Sequence, residues 1–276
     1  MKIRRRVLPP GWYPGTESET RLAIRDYFQS LPPEKGKALA GVAPHAGWEF
    51  SGRVALEVFS NLIEDPATIV VVGGHLGPGD GILAAFEEGY ETPLGVLEAD
   101  LELLGEIEKK VSLREDSYPD NTVEIQLPFI KYLFPAARAL SLRAAPAEIA
   151  IELGKAISSA AGKLERKVAV IGSTDLTHYG SNYGFRPAGE GAEAVRWVKE
   201  DNDRGFIDNL LALNAGEALH HARENRSACS AGGAVAALTF ARQSGCNRSK
   251  LLRYLTSYDI YPAESFVGYA GIIYSR

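Results

Sequence analysis

Several things are scarce in this sequence. Its 276 residues contain two cysteines, Cys229 and Cys246. That excludes a disulfide-stapled secreted scaffold and fits a reducing, cytoplasmic compartment. No apolar run is long enough to span a bilayer, so a membrane protein is not expected. The early prolines and glycine, Pro9, Pro10, Gly11 and Pro14, break the start before a signal peptide's apolar stretch can form. An excess of positive charge is also missing. The net charge is −5, so the chain lacks the electrostatic footprint of a nucleic-acid binder. The short basic start, Lys2 to Arg6, reads as a solvated terminus. There is no phosphate-cradling P-loop, dinucleotide fingerprint, G-x-S-x-G elbow or H-E-x-x-H helix.

What is present is an ordinary globular balance, with 45% hydrophobic and 24% charged residues. A chain this long buries a large core without staples. We find no internal repeat and no linker, and read residues 1–276 as a single domain.

Three segments share one design. ALAGVA (Ala38–Ala43), TIVVV (Thr68–Val72) and VAVI (Val168–Ile171) are short apolar runs, two of them rich in β-branched residues. They read as buried strands. Between them lie helical patterns. Thr16 or Ser18 caps the first, with Leu22, Ile24, Tyr27 and Phe28 on its buried side; Ser51 caps the second. Further helices are expected around Asp100–Lys110, over Ala147–Lys163, over Ala192–Arg223 as two helices broken near Asn214, and over Ala231–Gln243. The small residues of the last imply close packing. Two strands, Leu251–Ser257 and Val267–Tyr274, close the chain. The alternation predicts an α/β fold with an open, largely parallel sheet covered by helices.

Each of the three runs is followed by a histidine: His45, His75 and His178. Only five histidines exist, and open α/β sheets bind ligands beyond the carboxyl ends of their strands. Any one of the three can be a turn residue. All three at successive strand ends point to one crevice, where imidazoles could hold zinc, iron or copper and a spare ring could act as acid or base. His220 and His221 sit in a helical pattern and read as surface or half-buried residues. Asp175, in Asp175-Leu176-Thr177-His178, either orients the His178 ring or caps the next turn. Glu124 is either a site acid or a helix-start glutamate. Cys229 precedes a small-residue helix. It reads as a small buried residue, or as a thiol of lowered pKa.

Taken in order, GWYPG, APHAGW, GGHLGP, NTVEIQLPF, STDLTHYG, the Cys229 segment and VGYAGIIY resemble the Memo-like family over nearly the whole chain. The resemblance implies a fold similar to the class III extradiol ring-cleavage dioxygenases, which open catechol rings with Fe(II) and oxygen. It implies His45, His75 and Cys229 as metal ligands, with Glu124 as the alternative third ligand, and Asp175, His178 and Glu124 as catalytic residues in the same pocket. The expected cofactor is Fe(II), with copper or zinc as alternatives suited to a thiolate ligand. The expected partner is a small molecule, aromatic for an enzyme of this kind. A peptide is the alternative, because animal relatives bind phosphorylated peptides. The chain departs from the family pattern in three places. Gly73-Gly74-His75-Leu76 stands for G-P-S-H-H, Asn121-Thr122-Val123-Glu124 for H-S-x-E, and Cys229-Ser230 for Cys-Gly. Asn121 cannot shuttle a proton as the family's histidine can.

Overall fold

The apolar runs form the middle of a nine-stranded sheet in a computed structural model that describes residues 1–29 and 36–276. The chain runs through β1 (Ile3–Arg4), α1 (Glu17–Phe28), β2 (Ala40–Ala43), α2 (Trp48–Ser60), β3 (Thr68–Gly73), β4 (Ile82–Ala84), β5 (Gly89–Thr92) and β6 (Gly95–Glu98). Next come α3 (Leu101–Glu108), β7 (Arg114–Glu115), α4 (Asn121–Glu124), α5 (Leu127–Leu133), β8 (Arg138–Ala144), α6 (Glu148–Lys163), β9 (Val168–Ser173) and β10 (His178–Tyr179). The last third holds α7 (Gly191–Trp197), α8 (Asp203–Leu211), α9 (Ala215–Asn225), α10 (Ala231–Gln243), β11 (Arg248–Thr256) and β12 (Phe266–Ser275).

The sheet order is β10-β12-β2-β9-β3-β8-β4-β7, with β11 also on β12. Its four middle strands, β2, β9, β3 and β8, are parallel, and their register brings Ala43 opposite Ser173 and Val72 opposite Gly172. Their carboxyl ends therefore emerge together along one edge. In β3, Ile69 and Val71 face the core under α2 and α5, while Val70 and Val72 face the core under α6 and α10. Burial on both faces is why these segments are continuously apolar rather than alternating.

The expectation of a largely parallel sheet holds only for that middle. β12 runs antiparallel to β2, β10 and β11, and β4 runs antiparallel to β8. The β11–β12 link, residues 257–265, is too short for the crossover a parallel pair requires. A second sheet, β1-β5-β6, was not foreseen. It forms where the N-terminal strand joins the β5–β6 hairpin.

Thr16, not Ser18, caps α1, in a reciprocal capping box with Glu19. Leu22 is exposed, contrary to expectation. It lies two residues, about 200°, around the helix from the buried Ile24. Ser51 is not the cap of α2. The helix starts a turn earlier, at Trp48, whose N–H donates to Trp12 O at 2.8 Å and whose ring stacks on Phe129 at 4.1 Å. The N-terminal arm thus satisfies one of the N–H groups that the helix start leaves without an intrahelical partner.

Pro128 lies in the first turn of α5, where its missing N–H costs nothing. Asn214 caps α9 at the expected break, and a π-helical turn, Val198–Asn202, joins α7 to α8. The small residues of α10 let it lie directly on the sheet. A Cβ at Gly233 would collide with the carbonyl oxygen of Val72. No described helix is long and apolar enough to cross a membrane.

Candidate metal centre

His45 follows β2, His75 follows β3, and Cys229 sits just ahead of α10, which crosses the same strands. Their potential ligand atoms all lie within 4.8 Å of one another. His45 Nε2 is 3.2 Å from Cys229 Sγ, and the two imidazoles meet edge to face with centroids 4.9 Å apart. Among the described residues this is the one group of three or more histidine, cysteine or acidic side chains with such geometry.

The outer nitrogens of both rings are held. His45 Nδ1 bonds Ser173 Oγ at 3.2 Å, and His75 Nδ1 bonds Asp120 Oδ2 at 3.1 Å. In both rings this turns Nε2 toward the thiol, the arrangement by which an orienting partner fixes a metal-binding imidazole. Asp120 is held in turn by Arg143 at 2.8 Å, and Arg143 also faces Asp116 at 3.3 Å. His75 has φ +57°, a left-handed conformation uncommon for a residue with a side chain. Its N–H bond to Ser230 Oγ at 3.3 Å and its ring bond to Asp120 hold it there.

Asp175 lies between the rings. Its Oδ1 accepts from His45 N at 2.7 Å and Ala46 N at 3.3 Å. Its Oδ2 lies 3.9 Å from Nε2 of both His45 and His178. His178 Nε2 has no hydrogen-bond partner among the described residues. Asn121 donates to His45 O at 3.0 Å, fixing the loop that carries that ligand.

Burial raises the cost of charge on all these groups, but their mutual attraction outweighs it. Burial opposes ionisation of Cys229, yet His45, His178 and His75 hold its thiol well below the usual range. Burial opposes protonation of His75, yet Asp120 and Cys229 lift its pKa to about 10. The same balance, with Asp175 and Cys229, lifts His178 to about 10. The Asp120 carboxyl, despite burial, is lowered to about 2 by His75, Thr122 and Arg143.

The donor set fits a transition metal. It offers two imidazole nitrogens and a thiolate at mutual ligand distances, with partners that orient the rings. Above it opens a crevice of about 660 Å³, lined by His45, His75, Asn121, Asp175 and His178. Aromatic walls, Trp12, Phe50, Tyr183, Tyr261 and Tyr269, enclose it.

Glu124 does not line this crevice. It accepts from Val7 N, Leu8 N and Tyr13 OH, at 2.9, 3.1 and 2.8 Å. His220 is exposed, and the half-buried His221 bonds Ser227. Cys246 is buried elsewhere. The sequence reading did not single out Asp120, Ser173 or Arg143. Asp120 also caps α4 by accepting from Thr122 N, and a carboxylate just before a helix start carries no mark of a second partner. The aromatic walls come from separate loops and have no shared spacing.

Comparison with known proteins gives one family. The family described as "Memo-like protein" matches residues 5–273. MEMO1 family proteins from Pyrococcus abyssi and Thermococcus onnurineus are 34% and 32% identical, each over 99% of this chain and 100% of the relative. One from Methanosarcina mazei is 29% identical over 99% of both chains. The crystal structure of protein JW3007 from Escherichia coli K12 overlays with a TM-score of 0.55 at 12% identity, covering 85% of this chain and 98% of that one. At that identity the likeness is one of fold alone.

Proposed function

The chain belongs to the Memo-like protein family, and from that premise we propose that it is a metal-dependent oxidoreductase of the non-haem iron dioxygenase type. His45, His75 and Cys229 are its ligands, and Fe(II) is the preferred ion. The observation that carries the reading is the convergence of two oriented imidazoles and a depressed thiol beneath an open crevice. When bound, such an ion supplies Lewis acidity and electron exchange between an organic substrate and oxygen.

The chain's own residues do the rest. His178, whose ring lines the crevice and whose raised pKa keeps it protonated near neutral pH, lends a proton to a substrate oxygen and takes it back. Asp175 Oδ2, 3.9 Å from His178 Nε2, stabilises that imidazolium. Asn121 locks the His45 loop and moves no proton. The aromatic walls suit a small planar aromatic substrate. The cytoplasmic location expected from two free cysteines belongs to the same proposal.

The Cys229 thiolate favours copper or zinc as the alternative ions. Asn121 favours a second reading, in which the crevice holds metal, a peptide or a small ligand without turnover. Anaerobic purification, metal analysis and oxygen uptake with a panel of catechols separate these. One iron per chain, lost in C229S, with uptake on some aromatic diol is the expected result. Stoichiometric copper or zinc without uptake selects the alternatives, and no stoichiometric metal at all overturns the site.

A further inference from the structure

α4 is only four residues long, yet it and its cap reach three ways. Asp120 orients His75, Asn121 fixes the His45 loop, and Glu124 points away from both, to the N-terminal arm. Each Glu124 oxygen is used: Oε2 accepts from Val7 N, and Oε1 accepts from Leu8 N and Tyr13 OH. No cation is needed to satisfy it, because three donors from one segment converge on the carboxylate.

What these bonds hold is a wall of the crevice. Between Leu8 and Tyr13 the arm turns at Pro9-Pro10-Gly11-Trp12, with Trp12 N donating to Pro9 O at 3.5 Å. Gly11 has φ +100°, which a side chain would oppose. The turn projects Pro10, Gly11 and Trp12 into the lining that also holds Tyr183 and Tyr269. A backbone bond from Trp48 N to Trp12 O, 2.8 Å, ties the far side of the turn to α2. Glu124 thus grips both ends of a loop whose middle bounds the ligand space.

We infer that Glu124 is a positioning residue, whose carboxylate clamps the arm so that Pro10–Trp12 close one side of the histidine crevice and set its hold on a ligand. The inference rests on the reading of that crevice as a ligand site. Glu124 acts through Trp12 and not through the metal ligands.

The test uses the full-length protein loaded with Co(II), the chromophoric diol 4-nitrocatechol as probe, and 5-fluorotryptophan labelling. In Glu124→Gln one acceptor oxygen becomes an amide donor. Co(II) affinity and its visible bands should stay as in the parent. The Trp12 fluorine resonance, assigned with Trp12→Phe, should shift or broaden. Nitrocatechol should bind roughly tenfold more weakly, the scale of a lost charge-assisted bond. In a Trp12→Ala background, Glu124→Gln should cost nothing further, which a general loss of stability would not reproduce. An unchanged fluorine spectrum, or a full tenfold loss persisting without Trp12, overturns the inference. If the parent protein binds no nitrocatechol, the ligand-site reading fails and takes the retention claim with it. The fluorine spectrum still decides the clamp.

Discussion

His75 and Asp120 are 45 residues apart in sequence, and their side chains meet at 3.1 Å, Nδ1 to Oδ2. One ring nitrogen is thereby committed to the protein and the other is presented to Cys229. The carboxylate is anchored behind by Arg143, which is nearly inaccessible. The orientation of the His75 ring is therefore set by an ionic chain whose Asp120 and Arg143 members are buried.

Asp120→Asn keeps a good helix cap and removes the charge that orients and strengthens His75. We expect metal affinity to fall about 10- to 100-fold, with the far-UV circular dichroism spectrum unchanged. Competition against a chromophoric chelator measures this. Parent-like affinity would show that the pair does not tune the ligand.

Metal loading should release protons from imidazole and not from thiol. With its pKa raised to about 10, His75 carries a proton at pH 7.5, while Cys229, held far below its usual range, carries none. A metal displaces the imidazole proton. Calorimetric titration in buffers of different ionisation enthalpy should therefore show proton release at pH 7.5, fading as pH rises through about 10. Proton-neutral binding at pH 7.5 would contradict this charge arrangement.

Asp203 is fully buried, and among the described residues no cation is bonded to it. It accepts from Thr177 N and Oγ1 and from Tyr254 OH, and burial pushes its pKa up to about 7. The folded chain keeps this proton up to about pH 7, whereas the unfolded chain releases it near 3.8. Between these values the native state binds the extra proton, so this group makes stability fall as pH rises, levelling above about 7. Asp203→Asn should flatten the melting temperature between pH 5 and about 8, read by calorimetry. Identical pH profiles for parent and variant would refute it.

Gly233→Ala puts a methyl against the Val72 carbonyl, backbone that cannot yield without moving the sheet. Overpacking of this kind costs typically about 1–3 kcal/mol and occasionally more. Urea unfolding should show a lower midpoint at unchanged slope. A parent-like midpoint would mean that α10 lifts freely.

The parts of this fold that could be read in the sequence are those where one physical pattern repeats. β3 and β9 are visible because burial on both faces demands apolar residues at every position, and His45 and His75 because their loops follow such strands directly. β1, β5 and β6 escaped notice, since short paired strands at a margin leave no periodic trace. Leu22 misled because an apolar residue on a helix surface looks like one in the core. Glu124 stood out as an acid in an apolar segment. Its reason is the arm, more than a hundred positions away, and local spacing does not encode such a partner. Asp120 was hidden behind its second task as a cap.

The separation of His45, His75 and Cys229 along the chain has a consequence for biosynthesis. During translation the two imidazole donors emerge early, while the sulfur donor follows only after most of the polypeptide has been made. A nascent chain cannot assemble the trio before α10 has docked on the sheet, so on the proposed reading an ion held by all three would be taken up only after translation is nearly complete.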